Sequence, residues 1–546
     1  MRRARLIAGL SLGALLGPLA CHRGGAVGRY GVEGGVKGQD GSTDDSADGN
    51  GGGGRGGSAG SGGAGGIGGA GGSAAGRCKV ADSMDGTAAC DKTAPPGSFE
   101  ADIQWAFTPP GEQSSMVTPL VANLTDDNGD GAVDLCDTPD VVLVAFVDFI
   151  GGGHIYVLDG KTGAVHYKIP EPVDAKVTPA IGDIDGDGVS EIVTFKPGLV
   201  NGTPIAFGRG GAKKWESPTP GPLFTGAVAL ADLDADGDVE ILAGNMVFDH
   251  TGKLLWQAAE SADVYAGGVS ATAAGDLDGD GKMEVVFGHA AYHHDGKEYY
   301  VTREIAPGFP QIANLDDDPE PEILITNLQG ISMVEHDGKI KLKDLNPTGV
   351  AFGAAWGRAA AVHDMDGDRK ADFALSSGNN YVAYRRDVSV IWSATIVDAS
   401  GSASGTAFDC LGDGIAEAMY GDEYSMFIFD GTGKPIFKTE RSSGTWIEYP
   451  VVADIDNDGS AEIVVVSDRL KGGTQATIYV VRDKQDRWIQ ARRIWNQHTY
   501  HVTNVREDGT IPQHEKPSWQ HLNTFRTNSQ ISNTGGVCRP KGTAGP

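Results

Sequence analysis

Basic residues are in short supply in this 546-residue chain, where 44 Lys and Arg stand against 73 Asp and Glu for a formal net charge of −29. With a pI of about 4.7, such a surface excludes nucleic acid as a partner. Long apolar runs are missing as well. The run Leu6 to Leu16 is too short to cross a bilayer as a mature helix. Preceded by Arg2, Arg3 and Arg5, it reads as the core of an export signal over residues 1–20. Cysteine is sparse at six, and no C-x-x-C spacing points to zinc. No phosphate loop is present, and no nucleophile elbow or pair of catalytic residues stands out.

What the chain has instead is a repeated acidic nonapeptide, D-x-D-x-D-G-x-x-E. Its clearest copies are DIDGDGVSE (Asp183 to Glu191), DLDADGDVE (Asp232 to Glu240), DLDGDGKME (Asp276 to Glu284) and DIDNDGSAE (Asp454 to Glu462). DDNGDGAVD (Asp126 to Asp134) has the same chemistry, and weaker copies are NLDDDPEPE (Asn314 to Glu322), DMDGDRKAD (Asp364 to Asp372) and DCLGDGIAE (Asp409 to Glu417). The eight recur at intervals averaging about 47 residues, a period that marks a solenoid or propeller.

Each copy has the makings of a Ca²⁺ loop. Ca²⁺ takes six to eight oxygens at about 2.3–2.6 Å. Side chains at positions 1, 3 and 5 converge, the carbonyl at 7 turns inward, Gly at 6 allows the sharp bend, and the acid at 9 closes the shell. The expected ligands are Asp126, Asn128, Asp130 and Asp134; Asp183, Asp185, Asp187 and Glu191; Asp232, Asp234, Asp236 and Glu240; Asp276, Asp278, Asp280 and Glu284; and Asp454, Asp456, Asp458 and Glu462. Three copies are flawed. Asn314, Asp316, Asp318 and Glu322 surround Pro319 where Gly is wanted; Asp364, Asp366, Asp368 and Asp372 surround Arg369; and Asp409, Asp413 and Glu417 lack a third ligand at Leu411. Five good sites and up to eight in all are expected. The carboxylates at these positions number 29, matching the net charge of −29, so the acidity is gathered in the loops.

After each loop comes an apolar, β-rich run such as EIVTF, EILAG, EVVFG or EIVVV, which reads as a buried strand and not as the exit helix of an EF-hand. A further strand, a turn with Asp and Gly, and a strand often bearing Trp follow, as in IYVLDGKTGAVHYKI from Ile155 and MVFDHTGKLLWQ from Met246. Each unit therefore reads as strand, Ca²⁺ loop, strand, strand, turn, strand. Four strands per unit predict an all-β fold, a β-propeller of eight blades or, alternatively, seven, with Ca²⁺ loops between first and second strands. DIQWAF (Asp102 to Phe107) resembles the Trp-bearing fourth strands and is expected to pair with the last blade and close the ring. Trp105, Trp215, Trp256, Trp392 and Trp488 are expected to pack between blades. His289, His293 and His294 fall on a strand and turn and are expected to be structural.

On these motifs the chain resembles FG-GAP, or VCBS-type, repeat proteins, the family of the integrin α-subunit propeller and of many bacterial surface proteins. The resemblance implies a propeller with Ca²⁺ between the first two strands of its blades, and a function in adhesion or binding. The expectation is a non-catalytic cell-surface scaffold for a glycan, an extracellular matrix component or a surface protein. The alternative is an extracellular enzyme such as a polysaccharide lyase. A quinoprotein-like propeller is a third reading, since the D-x-x-T-G-x-x-x-W turns are similar to its tryptophan-docking motif, but it does not explain the Asp loops.

The ends complete the expected layout. Cys21 follows GPLA, which resembles a lipoprotein cleavage box with Pro18 out of place. Lipidation there would anchor the chain to an outer membrane or cell surface, and secretion is the other outcome. Residues 21–77 read as a lipidated Cys and a Gly-rich tether, with a root-mean-square reach of about 40 Å. Residues 78–98 are a lead-in, 99–495 the propeller and 496–546 a C-terminal cap. The last segment, with W-N-Q-H and V-T-N-V-x-x-D-G-T-I-P, is similar to one following FG-GAP repeats in myxobacterial surface proteins. Trp495, His498, Tyr500, His501 and Trp519 could form a polar aromatic surface there. Export permits disulfides. Cys78 with Cys90, or Cys136 or Cys90 with Cys538, are the open pairings, with Cys410 left over.

Overall fold

The computed structural model describes residue 84, residue 86 and residues 88–539, apart from 149–151, 199–201, 222–224, 265–268, 348–355, 399–402 and 534. The signal, Cys21, the Gly-rich stretch and Cys78 lie outside the described residues.

Eight four-stranded antiparallel blades form a ring. Blade 1 is Leu120–Ala122, Asp140–Phe146, Gly153–Asp159 and Val165–Lys168. Blade 2 is Ala180–Gly182, Glu191–Lys196, Thr203–Phe207 and Lys213–Glu216, and blade 3 is Thr225–Ala231, Glu240–Ala243, Met246–Phe248 and Leu254–Gln257. Blade 4 is Ala273–Gly275, Glu284–Phe287, Ala290–Tyr292 and Glu298–Val301, and blade 5 is Gly308–Ala313, Glu322–Asn327, Gly330–Glu335 and Ile340–Leu345. Blade 6 is Ala361–His363, Asp372–Ser377, Asn380–Tyr384 and Val390–Thr395, and blade 7 is Gly405–Phe408, Glu417–Gly421, Ser425–Phe429 and Pro435–Glu440. Blade 8 takes Val451–Ala453, Glu462–Val466 and Ile478–Asp483 from the end of the ring and its fourth strand, Ala101–Phe107, from the start. The ring closes as the sequence suggests, with Trp105 opposite Val480. Trp488 is not on a fourth strand. The fourth-strand place in blade 8 is held by Ala101–Phe107, and Trp488 meets Phe99 with ring centroids 5.1 Å apart.

Sequence pattern follows depth. Second strands such as Glu462–Val466 are buried at every residue, whereas fourth strands such as Leu254–Gln257 alternate between partly buried and exposed. The fourth-strand aromatic of one blade covers a turn glycine of the next. Trp215 of blade 2 lies over Gly252, Trp256 of blade 3 over Gly296, Trp392 of blade 6 over Gly433, and Trp105 of blade 8 over Gly163. Tyr300 of blade 4 does the same over Gly338. These glycines have φ between +70° and +83° and no room for a Cβ, so both the backbone and the contact require glycine.

The C-terminal segment fills the middle of the ring. It meets the chain at or beside the first strand of every blade. Trp495 and Val121 exchange backbone hydrogen bonds of 2.8 and 3.0 Å, and Ile181 N–H donates to Asn496 O at 2.8 Å. Leu230 N–H donates to Gln497 Oε1 at 2.9 Å, Thr499 Oγ1 to Thr272 O at 3.0 Å, and Asn314 N–H to Asn523 Oδ1 at 2.8 Å. Val362 pairs with Phe525, Thr406 Oγ1 donates to Arg526 O at 2.7 Å, and Asn528 Nδ2 to Val452 O at 2.8 Å. Its long side chains are buried, and part of their hydrogen bonding lies within the segment. Arg492 Nη1 donates to Tyr500 Oη at 2.8 Å and to Val502 O at 2.9 Å, and Arg493 Nη2 lies 3.2 Å from Glu507. Trp495, His498 and Tyr500 are thus buried packing residues, not the exposed surface considered from sequence.

Cys90 and Cys538 form a disulfide across 448 residues, which overturns a Cys78–Cys90 pair. Cys136 is also disulfide-bonded, and Cys410 is a buried free thiol.

Candidate metal centres

The acidic loops join first to second strands in all eight blades. In seven of them the acid at position 9 is the first residue of the second strand, and one of its oxygens accepts the N–H of loop position 2. These contacts are Ile184 to Glu191 at 3.2 Å, Leu233 to Glu240 at 2.9 Å, Leu277 to Glu284 at 2.8 Å and Leu315 to Glu322 at 2.6 Å. The others are Met365 to Asp372 at 3.1 Å, Cys410 to Glu417 at 2.9 Å and Ile455 to Glu462 at 3.0 Å. The carboxylate at position 1 gathers the far side of the loop. Asp183 accepts the N–H groups of Asp187 at 3.1 Å and Gly188 at 2.9 Å, and Asp187 accepts that of Val189 at 2.9 Å. Asp232 and Asp409 repeat the pattern. Tight hydrogen bonding on one side leaves the remaining oxygens facing one another.

Carboxylates brought within ligand distance include Asp183, Asp185 and Glu191; Asp232, Asp234 and Glu240; Asp278 and Glu284; and Asp364, Asp366, Asp368 and Asp372. Blade 6 gathers all four of its acids although Arg369 stands where Gly is wanted. Arg369 takes a left-handed backbone, φ +71°, to fit the bend, and its N–H donates to Asp364 at 2.9 Å.

Burial makes these anions costly. It pushes Glu240 and Asp372 up to about 8, Glu284 and Asp454 to about 7 and Asp364 to about 6, and it holds Glu417 and Glu462 well above the usual carboxylate range. Neighbouring aspartates add to the effect in each case. Several of the oxygens have no hydrogen-bond partner in the protein: Asp234 Oδ1, Asp276 Oδ1, Asp454 Oδ1 and Glu462 Oε1. Asp454 and Glu462 are fully buried. Unpaired buried carboxylate oxygens facing one another fit a hard cation.

What faces each loop from the fourth strand differs between blades, at the residue just before the strand's aromatic or apolar anchor. Blades 2 and 5 place a lysine there. Lys214 Nζ lies 2.6 Å from Asp185, 2.8 Å from Glu191 and 3.4 Å from Asp187. Lys341 Nζ reaches Asp316, and lies 2.7 Å from Glu322 and 3.3 Å from Glu335. These ammonium groups meet the same oxygens a metal would use. Blade 3 has Leu255 and blade 6 Ile391 at this position, and blade 8 has Gln104, which donates to Asp456 Oδ2 at 2.8 Å. In blade 4, His293 from the turn after the third strand puts Nδ1 2.8 Å from Glu284. Sequence reading named His293 only as a structural residue and missed Lys214, Lys341 and Gln104. The signal was there in the dipeptides Lys214-Trp215 and Gln104-Trp105, where the polar residue must point to the face opposite the packed Trp.

The first loop is built differently. Asp126 accepts the N–H groups of Asp130 at 3.1 Å and Gly131 at 2.9 Å, as position 1 does elsewhere. The acid that receives the position-2 N–H, from Asp127 at 2.9 Å, is Asp137 and not Asp134. Asp134 Oδ1 accepts instead from Cys136 N–H at 2.7 Å. The turn is therefore a twelve-residue loop, Asp126 to Asp137, with acid or amide at 1, 3, 5, 9 and 12. It is inserted before the strand, and Asp140, which opens that strand and accepts Leu124 N–H at 2.8 Å, is the counterpart of Glu191.

One cavity lies between the loops of blades 5 and 6 and the C-terminal segment, with a volume of about 500 Å³. Asp316, Asp318, Arg369, Lys370, Arg386, Trp519, His521 and Asn523 are among its walls. Arg386 is held by Asp317 at 2.8 Å, while Arg369 and Lys370 are exposed.

No protein-family model and no curated protein matches the chain. Among solved structures, the Vibrio cholerae biofilm matrix protein Bap1 superposes with a TM-score of 0.66 at 22% identity, covering 78% of this chain and 98% of that one. A Bacillus licheniformis rhamnogalacturonan lyase matches with a TM-score of 0.46 at 16% identity, covering 83% of each chain. At such identities the likeness is one of fold: the chain shares the β-propeller architecture of Bap1.

Proposed function

We propose that this protein is a calcium-loaded, non-catalytic propeller, exported to the cell surface or beyond, that holds a glycan, an extracellular matrix polymer or a surface protein. The observation that carries the calcium reading is the set of buried, unpartnered carboxylate oxygens, Asp454 Oδ1 and Glu462 Oε1 above all. Blades 3, 4, 6 and 8 are the best Ca²⁺ sites. In blades 2 and 5 the cation competes with Lys214 and Lys341. The binding reading draws support from the filled ring centre, which leaves little room for a catalytic cleft there, and from the matrix role named for Bap1. The disulfide between Cys90 and Cys538 supports export. The cavity beside Arg369, Lys370 and Trp519 suits a saccharide carrying a carboxylate. A lipid anchor at Cys21 is part of the proposal and is tested by mass analysis of the mature N-terminus.

Chelation is expected to lower the melting temperature, and Ca²⁺ to restore it, because a ligand bound only to the native state stabilises by mass action. Elemental analysis that finds no bound Ca²⁺, together with a melting temperature indifferent to chelator, overturns the calcium reading. A glycan array probed with and without Ca²⁺ tests the binding reading. Turnover of an acidic polysaccharide, seen as rising ultraviolet absorbance from unsaturated products, would instead establish the lyase.

A further inference from the structure

We infer that the cavity between blades 5 and 6 and the C-terminal segment receives the end of a saccharide chain bearing a uronic acid, hydroxyl edge inward, with His363 and Trp519 as its specificity-determining contacts. This rests on the binding reading above and makes no use of the calcium reading.

His363 breaks the repeat. It is the last residue of the first strand in blade 6, directly before the acidic loop. The residue at that place is Gly182 in blade 2, Ala231 in blade 3, Gly275 in blade 4, Ala313 in blade 5, Phe408 in blade 7 and Ala453 in blade 8. Packing is therefore served there by apolar side chains or by none. An imidazole at the same depth, 2% exposed, is costly unless its nitrogens are bonded. Its Nδ1 lies 3.4 Å from Asp364 O. Among the described residues, none bonds its Nε2.

Trp519 is a second such group. It lies in the short turn Ser518–Gln520 of the C-terminal segment and is 5% exposed. Its ring packs on Gly275, where a Cβ would lie 3.2 Å from Cζ3. Its Nε1–H donates to no described residue. The indole nitrogens of Trp215, Trp392 and Trp495 are unpartnered too, but they are sealed from solvent. Trp519 Nε1 and His363 Nε2 are not sealed, and the opening that both residues line is the cavity of about 500 Å³.

The two groups are complementary. The Asp364 carbonyl beside Nδ1 favours a proton there, which leaves Nε2 to accept, while the indole N–H donates. Sugar hydroxyls do both. Asp316, Asp318, Asp364 and Asp368 form walls that accept hydroxyls and repel a multiply charged phosphate group. At the rim Arg369 is exposed and forms no ion pair among the described residues. Its guanidinium suits a single carboxylate. A buried floor and an exposed, basic rim admit a chain end-on, and the volume falls in the range of small-molecule sites, about 300–1,000 Å³.

The test titrates the full chain in Ca²⁺, by calorimetry, with trisaccharides ending in glucuronate, galacturonate, mannuronate or guluronate and with their neutral counterparts. At least one acidic trisaccharide is expected to bind, and more tightly than its neutral counterpart. Trp519→Phe keeps a ring over Gly275 and removes the N–H. It should weaken binding by about fivefold to tenfold, as should His363→Ala. Arg369→Asn keeps a residue that tolerates the left-handed backbone, and it should erase the preference for the acidic ligand. Thermal melts check folding, and Trp519→Phe with Arg369→Asn decides the matter should His363→Ala not fold. An acidic saccharide held equally well by both of those variants overturns this inference and leaves the binding reading standing. Failure of every trisaccharide to bind also overturns it, while the glycan array separately decides the broader reading.

Discussion

A single side chain decides how each acidic loop is neutralised. The residue ahead of the fourth-strand anchor is lysine in blades 2 and 5, leucine or isoleucine in blades 3 and 6, and glutamine in blade 8. Lys214 is a tethered cation among the blade 2 carboxylates, and under the proposed calcium reading it would compete with Ca²⁺ there. Lys214→Leu copies blade 3. Without metal this variant is expected to be less stable by about 1–3 kcal/mol, the cost of leaving buried Glu191 unpaired. With Ca²⁺ it should gain more in melting temperature than the parent protein does. Differential scanning calorimetry with and without chelator measures both, and an unchanged Ca²⁺ response would show that Lys214 does not guard the site. This layer was hard to read from the sequence. The acidic loops announce themselves through D-x-D-x-D-G-x-x-E, but Lys214 lies 23 residues from Glu191, and nothing in the loop reveals that a lysine will return to it. The first loop misled for a related reason. DDNGDGAVD fits nine positions, and only the hydrogen bond from Asp127 N–H to Asp137 shows that the loop runs three residues further.

At the scale of the element, the strand order was legible because two independent signals agree. The acid at position 9 opens an apolar run, and the turn glycine and Trp mark the outer hairpin. Ala101–Phe107 could be assigned to the last blade because its Trp105 repeats the fourth-strand pattern. Trp488 lies outside the strands because the fourth-strand place in blade 8 is taken by that N-terminal segment. The Trp-on-glycine contact joins neighbouring blades, and it sets a sharp requirement. A Cβ at Gly252, with φ +80°, would lie 2.6 Å from the ring of Trp215. Gly252→Ala is expected to cost about 1–3 kcal/mol, from overpacking combined with a strained left-handed backbone. Urea unfolding followed by tryptophan fluorescence measures it. The same change at Gly186, also at positive φ but with nothing within 4 Å of its Cβ, should cost less. Equal losses at the two positions would deny the ring contact its role.

For the whole molecule, the ring, its plug and the Cys90–Cys538 bond act together. The path of the plug was illegible in advance because it touches backbone groups of eight different blades and so carries no period of its own. Its richness in Asn, Gln, Thr and Arg makes sense afterwards: Asn523, Asn528 and Gln497 satisfy strand amides and carbonyls that no neighbouring strand reaches. Replacing Cys90 and Cys538 by Ser is expected to lower stability by about 2–5 kcal/mol, as for long disulfide loops generally. Its melting temperature should fall below that of the oxidised parent protein, and a double variant as stable as the oxidised parent would contradict this.

The plug also imposes an order of events on the growing chain. Ala101–Phe107 emerges first yet waits for Ile478–Asp483, its partner in blade 8, and every inner strand waits for residues beyond Trp495. A nascent or half-exported chain therefore has no finished ring to fall into. It stays without a closed ring until its last residues are delivered, which under the proposed export would place completion of the fold after translocation.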